Sequence, residues 1–372
     1  MMQNNACFQN EKMVQNPADE RENSDNTVTQ ERKKFSFLKS GLLFLALLAV
    51  TFFVVFKNLE ARQLFQSMRL ANGWYLLAGC VAMCLFSLGE AANIYNGFSI
   101  MKTPVSFWLC IKYAVAGFFF SSITPSASGG QPMQVYYMHK DHIPVAKGSL
   151  ALLLELISYQ IATIGIALVG IFLKWDFLSS QTGSLKYLFA AGLLLNLLLL
   201  LLIGIAVFSK KLIHSLMRFV VKVVSFVQRK DGAEFYQKAE RIVEEYQQSA
   251  VYIRKNKRKM GRMLLVSFLQ IAALHSVVFW VYRSFGFYEY GFLDVVLLQA
   301  VLFITVSALP LPGTVGVGES GFLLLYKTLF PGAYLGSGML LSRGINLYLY
   351  VIVTGLFLLL YCVVQKRRCV VE

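Results

Sequence analysis

Residues 121–132 read SSITPSASGGQP and residues 309–321 read LPLPGTVGVGESG, and each stretch lies between apolar sequences long enough to enter a membrane. Both stretches are rich in proline, glycine and serine, which interrupt helices. A non-helical backbone leaves N–H and C=O groups unpaired, and in hydrocarbon each such group costs several kcal/mol. Such a break survives only where protein buries it or where it lines a polar cavity. The two stretches therefore predict broken or re-entrant membrane segments.

Apolar residues make up 56% of the 372 residues and charged residues 15%, against about 25% charged in an ordinary soluble domain. The apolar residues fall in blocks that approach the roughly 20 residues needed to span a bilayer. These blocks lie at about 41–56, 73–98, 107–124, 147–173, 186–208, 262–284, 291–309 and 337–364. We therefore predict an all-α, polytopic transmembrane helical bundle over residues 35–364.

The two ends of the chain are polar. Residues 1–34 are rich in Asn, Gln, Glu and Asp, so they bury too little apolar surface to fold, and we predict a disordered tail. Residues 365–372 form a short basic tail. Basic residues also precede the first apolar block and fill the loop 209–261, which contains a predicted amphipathic helix. This distribution indicates that both termini and the loop face the cytoplasm.

The positions of the two breaks suggest an internal repeat. Four apolar blocks precede residue 174 and four follow residue 185, and in each half the break falls between the third and fourth block. The basic loop is cytoplasmic if each break adds a crossing, or if the chain enters and turns back there. The halves, about 41–173 and 186–364, then cross an odd number of times and have opposite orientations. This is the inverted repeat common in transporters.

Ionisable residues within apolar blocks indicate function, because a charge at the bilayer centre costs roughly 2.5–3.5 kcal/mol on insertion scales. The candidates are Glu90, Glu155, His275, Glu319 and Arg343. Arg343 requires a counter-charge, for which Glu319 or Glu155 is expected. Together these groups would hold a zwitterionic head group, with Arg343 near its phosphate and the carboxylates near its amine. A purely structural ion pair is the alternative.

The breaks supply the other candidates for a lipid path. A helix that begins after a glycine-rich turn presents free N–H groups, which bind phosphate or carboxylate oxygens. These candidates are Thr124, Pro125, Gly129, Gly130, Gln131, Pro312, Gly313, Gly316 and Gly318. Two kinked helices that pack through their glycines are the alternative interpretation.

Other polar residues favour structural roles. Gln160, Gln270 and Gln299 are expected to form hydrogen bonds between helices. The six cysteines form no CxxC pair, and His139 with His142 lacks the further ligands of a metal site. The sequence contains no nucleotide-binding loop and no nucleophile–base pair, so we predict no cofactor, no metal and no catalytic residue.

The two breaks are similar to those of a known family. The stretches TPSASGGQP at 124–132 and PLPGTVGVGESG at 310–321 resemble the transmembrane region of lysylphosphatidylglycerol synthase/flippases, the multiple peptide resistance factor group with its stand-alone membrane relatives. The resemblance covers about residues 38–364. It implies that this region translocates aminoacylated phosphatidylglycerol to the outer leaflet, which lowers the negative surface charge and protects against cationic peptides.

The resemblance also implies that full-length family members carry an additional soluble domain, which transfers lysine from lysyl-tRNA to phosphatidylglycerol. Only residues 365–372 follow the last apolar block here, so we expect this chain to lack that chemistry. A phosphatidylglycerol lysyltransferase nevertheless stays open as an alternative. The resemblance further implies that family members carry Glu at the position of Gln131 and Arg at the position of Gln134. Because this sequence lacks both charges, the lipid species stays open.

The leading hypothesis is a lipid translocase of the cell membrane whose partners are membrane phospholipids. A gradient-coupled small-solute transporter and a scaffold for cell-envelope enzymes are the alternatives. The hypothesis also allows two protein partners, namely a second copy of this chain and an enzyme of the cell envelope. The net charge of +15 does not indicate a nucleic-acid partner, because the basic residues lie between apolar blocks, where they face anionic lipid.

Overall fold

The computed structural model describes residues 66–124, 127–175, 185–208, 256–307, 316–332 and 334–371. These residues are helical apart from their turns, which confirms the predicted all-α bundle. In chain order the helices are α1 (Gly73–Ile100), α2 (Phe107–Ile123), α3 (Gly130–Lys140), α4 (Val145–Leu173), α5 (Leu185–Phe208), α6 (Lys257–Ser284), α7 (Phe292–Ser307), α8 (Val317–Leu325), α9 (Tyr334–Arg343) and α10 (Tyr350–Val371). A π-helix, Gly344–Leu349, joins α9 directly to α10.

The helices have the length and composition of membrane spans. Four described segments are long and apolar enough to cross a bilayer, namely Gly73–Ile100, Val145–Leu173, Lys257–Ser284 and Tyr334–Tyr361. Shorter apolar helices are Phe107–Ile123, Phe189–Gly204 and Phe292–Ser307. Many large apolar side chains of these helices are exposed, as in a protein surrounded by lipid. The tail 1–34, the block 41–56 and most of the loop 209–261 lie outside the described residues.

Helices α1 and α6 run antiparallel and pack closely along their length. At one end of this pair the Lys259 ammonium donates hydrogen bonds of 2.8 Å to the carbonyl and hydroxyl oxygens of Ser99. At the other end the backbone N–H of Asn72 donates to the Ser284 carbonyl at 2.8 Å. We call the end with Ser99 and Lys259 the basic end, because the basic loop joins it, and the end with Asn72 and Ser284 the far end.

The first hairpin consists of α2 and α3 and belongs to the basic end. Helix α2 starts there, after the turn that follows α1, and runs into the bundle. After the break, α3 runs back, and Asp141 at its end forms an ion pair with Lys112 near the start of α2. The chain therefore leaves the bundle at the end where it entered, so the predicted break takes the re-entrant form.

The second hairpin consists of α7 and α8 and belongs to the far end. Helix α7 starts there, directly after the turn that follows α6. The hydroxyl of Tyr326, just beyond α8, donates to Gln299 Oε1 of α7 at 3.0 Å. Farther on, the ring of Phe330 packs against the ring of Tyr282, which lies near the far end of α6. This hairpin therefore enters the bundle from the opposite end to the first.

The two halves repeat one arrangement in opposite directions. Each contains a spanning helix, a re-entrant hairpin and a second spanning helix, which are α1 to α4 in one half and α6 to α10 in the other. Helix α1 packs on α2 as α6 packs on α7, and α4 packs on α7 as α10 packs on α2. Because α1 and α6 are antiparallel, the described helices form the inverted repeat that the sequence predicts.

The breaks are shorter than the sequence suggests. Helix α2 continues to Ile123 and α3 starts at Gly130, although the pattern predicts irregular backbone over 121–132. Helix α8 likewise starts at Val317, within the predicted break 309–321. Helix α8 can begin after Gly316 because glycine tolerates its φ of +88°, and α3 can include Pro132 because proline is tolerated in the first turn of a helix.

Glutamines join the helices, as predicted, and two of them, Gln160 and Gln270, are buried. Gln160 of α4 donates to Asn196 Oδ1 of α5 at 2.7 Å. Gln270 of α6 accepts a hydrogen bond of 3.3 Å from the Asn93 amide of α1. Gln299 of α7 accepts the hydroxyl of Tyr326. Each contact satisfies polar groups that neither lipid nor an apolar core would solvate.

Gly170 lets the two halves approach closely. A Cβ atom at this position of α4 would lie 2.8 Å from the Leu297 carbonyl oxygen of α7, and backbone cannot move aside as a side chain can. We expect Gly170→Ala to lower the free energy of unfolding by about 1–3 kcal/mol. The matched control is Gly261→Ala in α6, where no atom lies within 4 Å. It should raise stability by up to about 1 kcal/mol, since alanine favours helix.

Thermal unfolding of the two variants in one detergent measures the difference. The expectation is contradicted if Gly170→Ala melts at or above the temperature of the unmodified protein.

Candidate functional site

An ion pair between Glu319 and Arg343 lies inside the bundle, beside the second hairpin. Glu319 is the third residue of α8 and Arg343 the last residue of α9. The Arg343 Nε atom lies 3.2 Å from Glu319 Oε1, and the two side chains are 17% and 3% exposed. The Tyr348 hydroxyl lies 3.5 Å from the same oxygen. Of the two predicted counter-charges for Arg343, Glu319 is therefore the one in contact.

Glu319 also shapes the start of α8. Gly316 has a φ of +88°, which side chains with a Cβ rarely adopt, and its backbone N–H donates to Glu319 Oε2 at 2.6 Å. The carboxylate thus caps the helix and neutralises Arg343 at the same time. Gly318 is buried in the first turn of α8. The Gly316 N–H is consequently occupied, whereas the sequence predicts free N–H groups at this helix start.

The π-helix Gly344–Leu349 begins immediately after Arg343. Such irregular turns are frequent at functional sites, because they change which groups the helix presents. Two polar residues flank the arginine, one on each side. The Ser342 hydroxyl and Asn346 Oδ1 are both buried, and neither has a hydrogen-bond partner within the described residues. Buried polar atoms of this kind favour a bound polar group or water beside Arg343.

The first hairpin turns around Thr124. The Thr124 hydroxyl donates to the Phe120 carbonyl at 2.6 Å and accepts the backbone N–H of Gly129 at 2.9 Å. Gly130 is buried against α2, whereas Gln131 is exposed. Thr124 and Gly129 therefore hold the turn together. Three of the predicted site residues, Pro125, Pro312 and Gly313, lie outside the described residues.

Glu90 of α1 and Glu155 of α4 form a second charged site. Their carboxyl groups interact electrostatically with each other deep in the bundle, yet both side chains keep part of their surface accessible. Gln134 of α3 donates to Glu90 Oε1 at 2.8 Å and to the Tyr113 carbonyl at 3.1 Å. Among the described residues Glu155 has no hydrogen bond and no ion pair. Within the part of the chain that the structure describes, the two carboxyl groups therefore have no neighbouring cation.

Tyrosines connect the two charged sites. The Tyr159 hydroxyl, one turn beyond Glu155, interacts electrostatically with Glu155 and Glu90. Tyr350 also interacts with Glu90, and its hydroxyl hydrogen-bonds to Ser87 on α1. Tyr350 directly follows the π-helix, so the acidic pair contacts the same continuous helical segment, α9 to α10, that carries Arg343.

His275 is placed apart from these contacts. It is 1% exposed, its ring lies 5.4 Å from that of Phe303, and neither ring nitrogen has a partner within the described residues. No hydrogen bond or ion pair joins it to the acidic pair or to Arg343. The prediction that His275 lies with the other ionisable residues therefore gains no support from its contacts, which are those of a packed aromatic side chain.

Lys112 is a buried charge that is not among the residues predicted from the sequence. It lies in α2, pairs with Asp141 and donates to the Tyr361 hydroxyl at 3.2 Å. The available signal was its position as a lysine inside the apolar block 107–124. Within the described part of the chain, no three His, Cys, Asp or Glu side chains are grouped as a metal would need.

The comparison with known proteins identifies the family. A search of functionally curated proteins finds no match to this sequence. The sequence does match the family described as the lysylphosphatidylglycerol synthase TM region over residues 40–354, which is most of the chain and includes both hairpins and every charged residue discussed above. The family resemblance seen at the two breaks is thereby confirmed. The chain belongs to the lysylphosphatidylglycerol synthase transmembrane-region family.

Proposed function

We propose that this protein translocates phospholipids between the two leaflets of the cell membrane. The observation that carries the proposal is the Glu319–Arg343 pair, which lies where the second hairpin starts its return and where α9 opens into a π-helix. Charged side chains inside a membrane bundle are costly, and they usually mark the path of a polar substrate. The family supports a lipid-related function of the membrane region.

The charges suit a phospholipid head group with an amine. Arg343 offers a cation with fixed hydrogen-bonding directions, which is well matched to a phosphate. Glu90 and Glu155 offer two adjoining carboxyl groups without a neighbouring cation among the described residues, and an amine bound beside them would favour their ionised form. An aminoacylated phosphatidylglycerol carries both groups, and it is the substrate class we propose. The two sites would hold opposite charges of one head group while its acyl chains stay in lipid.

The inverted repeat supplies a way across. Hairpins that enter from opposite ends bring broken backbone and polar side chains to the interior, where inverted-repeat transporters hold their substrates. A polar head group then crosses between the halves and avoids the hydrocarbon. We place the basic end and both termini in the cytoplasm, because the basic residues cluster there.

The test is leaflet exchange in vesicles. The purified protein is reconstituted with fluorescent lipids that bear anionic, aminoacylated or zwitterionic head groups, and a membrane-impermeant quencher reports which leaflet each occupies. We expect faster exchange than in protein-free vesicles, with aminoacylated phosphatidylglycerol moved fastest. Vesicles that contain an unrelated helical membrane protein control for bilayer defects. No exchange above that control for any of the head groups would reject the proposal.

A further inference from the structure

The proposed lipid path does not use Lys112, although a buried lysine must be held by partners. Its side chain is 2% exposed, and its ammonium pairs with Asp141, which is 12% exposed. Asp141 also accepts a hydrogen bond of 2.6 Å from the Tyr113 hydroxyl. Because Lys112 donates to Tyr361 of α10 as well, the cluster joins the base of the first hairpin to the last helix. We call Lys112, Tyr113, Asp141 and Tyr361 the basic-end lock.

Aromatic rings complete the lock. The Lys112 Nζ atom lies 5.0 Å from the ring centre of Tyr113 and 4.7 Å from that of Tyr361, both within the range of cation–π attraction. Deeper in the bundle the contact between α2 and α10 becomes apolar, with Ala116 and Leu358 buried. We call this contact between α2 and α10 the basic-end seam. The lock thus closes the outer part of a seam whose inner part excludes water.

The inverted repeat places a matching seam at the far end, between α7 and α4. There Lys174 at the end of α4 forms an ion pair with Asp294 of α7. Deeper in this far-end seam Ala300 and Ala167 are buried together. The side chains of Lys174 and Asp294 are 34% and 33% exposed, so this pair is solvated, whereas the basic-end lock is buried. The two ends therefore have one architecture and unequal closure.

A charged lock suits a contact that must open. Separating an apolar seam exposes apolar surface to water or head groups, which is unfavourable in proportion to its area. Separating a buried ion pair lets both ions recover their hydration, which offsets much of the lost attraction. A seam closed by Lys112 and Asp141 is consequently stable while water is excluded, and it costs little free energy to open, provided that neither charge is left buried alone.

We infer that the basic-end lock is a gate that opens the basic-end seam to lipid head groups, in alternation with the far-end seam. This inference rests on the proposed function, because alternate opening serves a protein that passes a substrate between its ends. In the structure the gate at the basic end is closed, and the weaker, solvated closure is at the far end. The two seams are coupled, so opening one closes the other.

Thiol reactivity tests the gate without measuring transport. In a protein whose six cysteines are replaced by serine, one reporter is introduced at a time, either Ala116→Cys in the basic-end seam or Ala300→Cys in the far-end seam. Both alanines are 0% exposed, and cysteine is a small change. A small polar thiol reagent is applied to the protein in lipid vesicles, and the rate of modification is measured. With both ion pairs intact we expect the Ala300→Cys reporter to react faster.

The lock is then weakened with little change of shape. Asp141→Asn leaves Lys112 buried without a counter-charge, so we expect about tenfold faster modification at Ala116→Cys, the effect of losing one charge-assisted hydrogen bond. Modification at Ala300→Cys should become slower. Tyr361→Phe keeps the ring and removes the hydroxyl. We expect it to change both modification rates in the same directions as Asp141→Asn, each by about threefold. Tyr361→Phe also tests the lock if the Asp141→Asn variant fails to fold.

The matched control removes the charge at the other end. Lys174→Met should have the mirror effect, with faster modification at Ala300→Cys and slower modification at Ala116→Cys. A faster reaction at Ala116→Cys without any slowing at Ala300→Cys would identify the cluster as a local structural contact and overturn the gate. Unchanged rates at both reporters would also overturn it. Opposite changes without lipid exchange would keep the gate and reject lipid as the substrate.

Discussion

Replacing Arg343 by methionine should abolish most lipid exchange and destabilise the protein. The change leaves the Glu319 carboxylate, which is 3% exposed, buried without its cation. Breaking a buried ion pair in this way costs about 3–5 kcal/mol. Loss of the arginine also removes the proposed phosphate ligand, so exchange should fall by at least about tenfold, the effect of losing a charged hydrogen bond to substrate.

The double variant Glu319→Gln/Arg343→Met separates the two effects. No charge is left unpaired in it, and the glutamine carbonyl can still accept the Gly316 N–H, so most of the stability should return. If the arginine handles the head group, exchange stays low in the double variant. If the pair serves stability alone, exchange returns together with stability, and the proposed role of Arg343 is wrong.

Thermal unfolding in detergent and leaflet exchange in vesicles are measured on the same preparations. Lys174→Met is a reference for stability, because its ion pair with Asp294 is about one-third exposed. Exposed pairs contribute about 0–1 kcal/mol, so this variant should melt close to the unmodified protein.

Replacing Glu155 by glutamine should reduce selectivity for lipids that carry an amine. Glu155 is partly accessible and has no hydrogen bond or ion pair among the described residues, whereas Glu90 already accepts the Gln134 amide. Glu155 is therefore the carboxylate better able to bind a cationic group. We expect the ratio of exchange rates, aminoacylated over plain phosphatidylglycerol, to fall by about tenfold, since a charge-assisted contact is lost.

Plain phosphatidylglycerol, which has no amine, should be moved as fast as before or faster, because an acidic group that can only repel it is removed. The matched control is Glu289→Gln, which makes the same chemical change at an exposed position in the turn between α6 and α7. Its ratio of rates should equal that of the unmodified protein. An unchanged ratio in Glu155→Gln would mean that the acidic pair does not bind the amine.

Much of the fold could be predicted because membranes impose simple rules. The bounds of α1, expected at 73–98 and found at Gly73–Ile100, follow from hydropathy and length. The interruption between α2 and α3 follows from a glycine- and proline-rich stretch that cannot continue a helix. The predicted break began too early, because Ser121 to Ile123 are acceptable in a helix and the signal that ends α2 is Pro125, which disfavours helical dihedrals at Thr124.

The candidate site could be predicted only in part. Arg343 and Glu319 stand out as charges in apolar sequence, but two acids were equally suitable partners for the arginine. Gln134 and Lys112 acquire their meaning from residues on other helices. Gln134 contacts Glu90, which is 44 positions away, and Lys112 contacts Tyr361, which is 249 positions away. Helical periodicity describes one helix at a time, so such pairs are invisible to it.

The amino-acid sequence alone determined that this protein is a helical membrane bundle with two breaks in halves of opposite orientation, because apolar length, glycine, proline and the placement of basic residues act locally and independently of packing. It left open whether each break crosses the membrane or turns back, which the packing of the hairpins decided. The tertiary structure alone decided that Glu319 neutralises Arg343, that Glu90 and Glu155 lie together, and that Lys112 closes the basic end. These pairings depend on how the helices are rotated and how deeply they sit against one another. That geometry results from packing the whole bundle, and no short stretch of the chain encodes it.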